Sequence, residues 1–192
     1  MSALIQLRAK QCEDPVGRAA FIETSQRIRA MSLVHETLYK GADTSRIEFS
    51  TYLRTIAEAS AASYGMAERI EVVVEDNADA VDLKDAVPLG LAAVEAITNA
   101  FKHAFPDERR GRLSIFFRAP KLDQEGELVI RDDGVGIPEG LVSASRGAGL
   151  SLAAALARQV GGRVVIENDN GAVSRLCFAG VPETTSTAEP SH

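Results

Sequence analysis

The stretch of sequence that decides the fold is EAITNAFKHA, residues Glu95–Ala104. On a helix, Glu95, Asn99 and His103 fall at positions i, i+4 and i+8 of one face, and Lys102 lies beside them. The opposite face carries the apolar residues Ala93, Val94, Ile97, Ala100, Phe101 and Ala104. The segment therefore predicts an amphipathic helix whose second face gathers a carboxylate, an amide, an ammonium and an imidazole.

Two interpretations of this polar face are open from the helix alone. It can be an ordinary surface face whose charges stand in water. It can also be a triphosphate and metal site, because the carbonyl oxygen of Asn99 suits Mg²⁺, which keeps waters and binds phosphate oxygens. In that site Lys102 and His103 offset phosphate charge, and Glu95 orients or deprotonates an attacking group.

A glycine-containing segment follows an apolar strand further along the chain. It reads VIRDDGVGIP, residues Val129–Pro138, and contains Asp132, Gly134 and Gly136. The two glycines allow positive φ and close approach of a ligand to the backbone. A carboxylate of the acidic pair Asp132-Asp133, at the end of the strand, can accept a hydrogen bond from an exocyclic amine such as that of adenine. By itself, the segment fits a strand-ending turn that uses Asp and Gly.

A second glycine pair opens a later helix. Gly147 and Gly149 stand in RGAGL, residues Arg146–Leu150, and a helix N-terminus presents unpaired amides that suit phosphate. The spacing matches neither a Walker loop nor, in its context, a Rossmann fingerprint. The three segments in this order, an Asn-bearing helix and two glycine boxes, favour a nucleotide site.

The flanking pattern predicts a two-layer α/β (α+β) sandwich, with helices over one face of a mixed sheet. Hydrophobic periodicity and turn residues predict the elements in chain order. They are a helix from an N-cap at Ser50 to Gly65, a strand Ile70–Val74, a helix from near Pro88 to His103, strands Leu113–Arg118 and Glu127–Arg131 around the turn Asp123–Gly126, a helix Leu150–Val160, and a hairpin of Arg163–Glu167 with Val173–Phe178.

The first ~40 residues predict a helical hairpin that turns at Glu13-Asp14-Pro15. Its second helix carries apolar residues at helical spacing, namely Phe21, Ile28, Met31, Val34 and Leu38. Such a hairpin cannot bury both apolar faces unaided, so it packs on the rest of the chain or pairs with a second copy into a four-helix bundle. We favour pairing. We expect a hairpin over 1–42, a catalytic domain over 43–182 and a disordered polar tail over 183–192.

Composition excludes several classes of protein. A net charge of −6 with interspersed signs leaves no basic stripe for nucleic acid. No apolar run approaches the ~18 residues of a membrane helix, and no signal peptide is visible. The two cysteines, Cys12 and Cys177, are far apart, which indicates reduced thiols in a cytoplasmic protein.

The segment Glu95–Asp107 closely resembles the asparagine box of the short-lid sensor histidine kinases related to the HWE group, within the GHKL ATPase superfamily. Arg27–Tyr39 resembles the second helix of their dimerisation and phosphotransfer domain. The likeness spans roughly residues 1–180. It implies a Bergerat ATP-binding fold preceded by a helical hairpin, with a short lid between Pro138 and Gly147 and no phenylalanine box.

The resemblance also implies a role for each candidate residue. Asn99 would hold Mg²⁺, Asp132 would receive the adenine amino group, and Glu95 would act as the polarising acid. The remaining nucleotide contacts are Lys102 and His103 near the phosphates, Gly134 and Gly136 around adenine, and Gly147, Gly149 and Leu150 on the phosphate side.

By the same resemblance, the chain is the catalytic region of a two-component sensor histidine kinase. It would transfer the γ-phosphoryl of Mg-ATP to a histidine, for relay to a response-regulator receiver domain. The family's phosphoacceptor lies in the first helix before an Arg-Val-Lys-Asn-Asn-like stretch; this sequence begins Met1-Ser2-Ala3-Leu4, and His35 is not at that site. We therefore expect ATP binding without autophosphorylation. The alternatives are a nucleotide-binding phosphotransfer or regulatory module without kinase turnover, and an anti-sigma-type serine kinase.

Overall fold

The computed structural model describes residues 14–39, 46–76, 79–138 and 148–179, and the side chains of 33–39 and 148–151 are outside that description. Several expectations lie outside the described residues. They are the first predicted helix, Cys12, the side chain of His35, the lid residues 139–147 and the tail 183–192.

The described chain forms four helices and seven strands. In chain order they are α1 (Pro15–Tyr39), β1 (Arg46–Glu48), α2 (Phe49–Ser63), β2 (Ile70–Val74), β3 (Ala80–Asp82), α3 (Leu83–His103), β4 (Gly111–Arg118), β5 (Gly126–Asp132), α4 (Ala148–Gln159), β6 (Gly162–Asn168) and β7 (Ala172–Phe178).

The main sheet has five strands in the order β2-β4-β5-β7-β6. β2 pairs with β4 in parallel, and the other three pairings are antiparallel. Along β4, Leu113, Ile115 and Phe117 are buried and alternate with partly exposed residues, so one face of the sheet meets the core. Helices α2, α3 and α4 cover that face. The predicted two-layer α/β sandwich with a mixed sheet is confirmed.

Helix α1 begins where the sequence predicts the turn. Pro15 takes the first helical position, and the Asp14 carboxylate accepts hydrogen bonds from the backbone N–H groups of Val16 (3.2 Å) and Gly17 (2.8 Å). No helix of the described residues is long and apolar enough to cross a membrane.

Helix α1 packs on the rest of the chain, which is one of the two predicted alternatives; pairing with a second copy stays a prediction. One face lies on the rest of the chain: Gln26 is buried, donates to the Ser63 hydroxyl (2.7 Å) and accepts from that of Ser60 (3.2 Å). The Tyr52 hydroxyl donates to the carbonyl of Ala30 at 3.0 Å. Large apolar side chains remain exposed elsewhere on the helix, at Val16, Phe21 and Met31. One face of α1 is therefore packed against the rest of the chain, and a second, apolar surface of the helix is exposed.

Two helix starts differ from the prediction. Ser50 is not an N-cap: α2 begins at Phe49 with Glu48 in the N-cap position, and Ser50 is fully buried. The start follows from β1, which pairs with β3 into a two-stranded ribbon whose three-residue strands are too short for a periodic signal. α3 begins at Leu83, so Pro88 lies inside it. The bond that Pro88 lacks would join the carbonyl of Lys84, an exposed residue in the first turn of the helix.

The remaining boundaries agree closely with the sequence. Gly65 follows α2 at φ 68°, and the Met66 N–H donates to the Ala61 carbonyl at 2.8 Å, a glycine-terminated helix end. Strand β2 is confirmed at Ile70–Val74, and the closing hairpin turns through Asp169–Gly171 as predicted. These elements hold α3 and the end of β5 side by side.

Candidate functional site

The apolar face of α3 is core, as predicted. Each of its six apolar residues is at most 5% exposed. On the other face Asn99, Lys102 and His103 are exposed, but Glu95 is only 6% exposed. The polar face is therefore not uniform, because α1 packs against α3.

Glu95 forms an ion pair with α1. The Nε of Arg27 donates to the Glu95 Oε1 at 2.6 Å, and the two side chains are 35% and 8% exposed. The hydrogen bond to Glu95 raises the pKa of Arg27, so the guanidinium stays charged. A buried carboxylate needs such a partner to offset its lost hydration. One oxygen of the predicted polarising acid is thus committed to Arg27.

Lys102, like Glu95, has a partner on α1. Its Nζ forms an ion pair with Glu23, one turn before Arg27 on α1. Partial burial lowers the pKa of the Lys102 ammonium. Two ion pairs therefore hold α1 against the polar face of α3. In one of them α1 supplies the cation, and in the other it supplies the carboxylate. Sequence reasoning selected neither Glu23 nor Arg27, whose i,i+4 spacing signals only a pair within one helix.

Asp132 ends β5 with its side chain turned inward. It is 5% exposed, and its Oδ1 accepts hydrogen bonds from the backbone N–H groups of Gly134 (2.9 Å) and Ala172 (3.1 Å). Within the described part of the chain, Oδ2 has no hydrogen-bond partner. The carboxylate is thus fixed by one oxygen and has the other to offer to a donor on a ligand.

The loop after Asp132 packs on the C-terminal end of α3. The Val135 N–H donates to the Ala104 carbonyl at 3.0 Å. A Cβ atom at Gly134 would lie 2.3 Å from that same carbonyl oxygen, so only glycine fits there. Gly136 has φ +75°, a conformation that other residues rarely adopt. The structure thus brings the predicted Asn-bearing helix and the first glycine box together.

The second residue of the acidic pair has a different function. The Asp133 Oδ1 accepts from the Arg112 N–H at 2.7 Å, and the Arg109 guanidinium donates to the Asp133 carbonyl at 2.6 Å. Asp133 therefore ties the loop to the start of β4. The repeated Asp in the sequence did not reveal which of the two faces the site.

The second glycine box is only partly described. Gly147 and the side chain of Leu150 lie outside the described residues, while the backbone of Gly149 and Leu150 forms the first turn of α4, a helix that packs against α3. Among the described residues, no group of three or more His, Cys, Asp or Glu side chains could hold a metal ion. A cation at Asn99 would therefore depend on oxygens brought by a ligand.

Comparisons with known proteins point to one family. Residues 84–184 match the family described as histidine kinase-, DNA gyrase B-, and HSP90-like ATPase, and residues 1–64 match the one described as histidine kinase. The sensor histidine kinase PdtaS of Mycobacterium tuberculosis is 26% identical over 140 residues, which are 73% of this chain and 28% of that protein. The chain thus spans little more than a quarter of this relative's length.

Solved structures support the fold. The histidine kinase domain of the Erythrobacter litoralis EL346 blue-light activated histidine kinase superposes with a TM-score of 0.71 at 23% identity, covering 92% of each chain. The ATP binding domain of PrrB from Mycobacterium tuberculosis gives a TM-score of 0.54 at 27% identity, covering 73% of this chain and 99% of that one. The fold expected from the resemblance is confirmed.

We predict that Arg27→Met destabilises the protein, because it leaves the buried Glu95 carboxylate unpaired. The free energy of unfolding, measured by urea denaturation, should fall by about 1–3 kcal/mol. Arg29→Met is the matched control, since Arg29 lies exposed on the same helix. The double variant Arg27→Met with Glu95→Gln should lose less than Arg27→Met alone. Equal effects at Arg27 and Arg29 would contradict the pairing.

Proposed function

The chain belongs to the family of histidine kinase-, DNA gyrase B- and HSP90-like ATPases, and from that premise we propose that it is the ATP-binding catalytic region of a two-component sensor histidine kinase. The observation that carries the proposal is the packing of the Asp132 loop on the helix that bears Asn99. This packing joins an acceptor for adenine to a polar helix face suited to phosphate and metal.

The adenine side fits a purine by its chemistry. The Asp132 Oδ2 is an acceptor for the exocyclic amino group, and Oδ1 is held in place by the N–H groups of Gly134 and Ala172. Gly134 and Gly136 carry no side chain that would keep a flat ring from the backbone. ATP is therefore the nucleotide we propose, with Gly147, Gly149 and Leu150 contributing on the phosphate side.

The phosphate side fits Mg²⁺ bound together with the nucleotide. Asn99 is exposed and presents an amide oxygen, a hard ligand of the type that Mg²⁺ accepts. Lys102 and His103 supply donors for phosphate oxygens. When bound, Mg²⁺ would neutralise phosphate charge in a reaction that depends on positioning and electrostatics.

The ion pairs with α1 set a condition for chemistry. In the described arrangement Arg27 offsets the charge of Glu95 and Glu23 offsets that of Lys102, so polarising a histidine and binding phosphate are both favoured when these pairs open. We therefore propose that α1 moves relative to α3 during the catalytic cycle. The described arrangement would be the resting one.

The proposed partners are a receiver domain of a response regulator and a second copy of this chain. Pairing of two copies is supported by the exposed apolar residues Val16, Phe21 and Met31 on α1. The divisions at residues 42 and 182 belong to the same proposal, with 1–42 serving dimerisation and phosphotransfer. The cytoplasmic location remains a prediction.

A module without kinase turnover is the second candidate, and one observation favours it. Glu95 and Lys102 are both neutralised by α1 in the described structure. The match of residues 1–64 to a histidine kinase family speaks against the anti-sigma-type serine kinase.

The two candidates are separated by incubating this chain with Mg-ATP labelled in its γ-phosphate and with a separate phosphotransfer domain that carries the family's acceptor histidine, since the chain itself is not expected to autophosphorylate. Acid-labile label that passes to a receiver domain supports the histidine kinase. Bound ATP without label supports the module without turnover, and acid-stable label indicates serine chemistry. Either of these results would overturn the leading proposal.

We predict that Asp132→Asn weakens ATP binding by about 1–3 kcal/mol, or roughly 10- to 100-fold. In this variant the side-chain oxygen can still accept hydrogen bonds from Gly134 and Ala172, so the loop keeps its conformation. The new side-chain NH₂ group, however, faces the amino group of adenine, and both are donors. Isothermal titration calorimetry measures the loss. Asp133→Asn is the matched control, because Asp133 contacts Arg112 and should leave the affinity unchanged. Unchanged affinity of Asp132→Asn would remove Asp132 from the site.

We predict that Asn99→Ala abolishes the dependence of ATP binding on Mg²⁺. The wild-type protein should bind ATP more tightly with Mg²⁺ than with a chelator, whereas the variant should bind equally in both. Mg²⁺ alone should not bind, because the described residues hold no prebuilt cluster. Metal-independent ATP binding by the wild-type protein would contradict the role of Asn99.

A further inference from the structure

Asn168 holds a residue far away in the sequence by two hydrogen bonds. It ends β6, and its Oδ1 accepts from the Ile137 N–H at 2.8 Å while its Nδ2 donates to the Ile137 carbonyl at 2.8 Å. A planar amide that binds both main-chain groups of one residue fixes that residue's orientation as well as its position. Nothing in the sequence signals this contact, because Asn before Asp-Asn-Gly indicates only a turn.

These two hydrogen bonds, called the Asn168 clamp from here on, lie next to the positive-φ residue of the proposed nucleotide loop. Gly136, the neighbour of Ile137, has φ +75°, and a Cβ atom there would lie 3.0 Å from the Asn168 Oδ1. The Asn168 amide therefore lies against Gly136 and fills the space on that side of the loop. If Asn168 moved away, the backbone of Gly136 would no longer be held in its left-handed conformation.

The same hairpin also holds the beginning of the loop. The Ala172 N–H donates to the Asp132 Oδ1, and Gly171 packs so closely on Asp132 that a Cβ atom would lie 2.0 Å from its carbonyl oxygen. The turn between β6 and β7 thus contacts the segment at both ends, at Asp132 and at Ile137. The middle is held by α3 through the bond from Val135 to Ala104.

Burial separates the roles of these contacts. Asp132 is buried, so its bonds support the fold as well as the loop. Asn168 is exposed, and bonds of exposed groups exchange readily with water, so they add little to global stability. The effect of the Asn168 clamp is therefore local and concerns the conformation of Gly136 and Ile137.

We propose that Asn168 is a positioning residue for adenine nucleotides: by clamping Ile137 it holds the Gly134–Gly136 loop in the form that receives the adenine ring. The inference rests on the proposed function. Asn168 acts through the loop and does not touch the nucleotide. Because ATP, ADP and AMP share the adenine, its loss should weaken all three by the same factor.

The experiment compares Asn168→Ala and Asn168→Asp with Asn170→Gly. Asn170 is the matched control, since it lies in the same turn at φ 51° and, among the described residues, its side-chain amide bonds only Asp169. Calorimetry measures the affinity for ATP, ADP and AMP, and hydrogen exchange at the Ile137 amide is measured without nucleotide. Asn168→Ala should weaken all three nucleotides roughly tenfold and speed Ile137 exchange.

The conservative variant provides a rescue test. Asn168→Asp keeps an acceptor for the Ile137 N–H but has no donor for the Ile137 carbonyl, so its affinity should fall between wild type and Asn168→Ala. Asn170→Gly should bind as wild type. If Asn168→Ala fails to fold, as judged by its melting transition, the nucleotide affinity of Asn168→Asp is compared with that of Asn170→Gly instead.

Three results would overturn the inference. Wild-type affinity in Asn168→Ala would remove the positioning role while leaving the proposed function intact. A loss confined to ATP would place the effect on the phosphate side. A wild-type protein that binds none of the three nucleotides would refute the proposed function and the inference with it.

Discussion

The close contact between Gly134 and the carbonyl of Ala104 is the constraint on which the site depends. It joins the end of β5 to the end of α3, and it exists only because position 134 carries no side chain. Through it, the register of the sheet sets where Asp132 stands relative to Asn99. A larger residue at 134 would have to move either the strand or the helix, and both are anchored in the core.

A second constraint acts on the polar face of α3. Helix α1 neutralises Glu95 and Lys102 with Arg27 and Glu23, which stabilises the described packing and withdraws two charges from the polar face. While these pairs are formed, the two charges are offset and interact more weakly with a nucleotide. The cost of separating the buried pair therefore becomes part of the cost of any state in which Glu95 meets a substrate.

Local sequence patterns predicted most elements, because periodicity, glycines and turn residues are local signals. The hairpin of β6 and β7 and the end of α2 at Gly65 show this. Contacts between distant segments escaped the sequence: Arg27 with Glu95, Asn168 with Ile137, and β1 with β3. Glu95 was correctly placed on the polar face but not recognised as buried, because its burial depends on a helix 68 positions away in the chain.

The two halves of the candidate site differ in how they are preorganised. The proposed adenine side consists of backbone held by Asp132, Ala104 and Asn168, so little conformational freedom would be lost if a ring binds there. The phosphate side relies on side chains of α3, of which Asn99 and His103 are exposed and Lys102 is paired with α1. On the proposed function, such an arrangement would let the adenine side supply affinity while the position of α1 controls the charges that chemistry needs. Binding and turnover would then be regulated separately, since α1 contacts Glu95 and Lys102 and the proposed adenine loop is held by the β6–β7 turn.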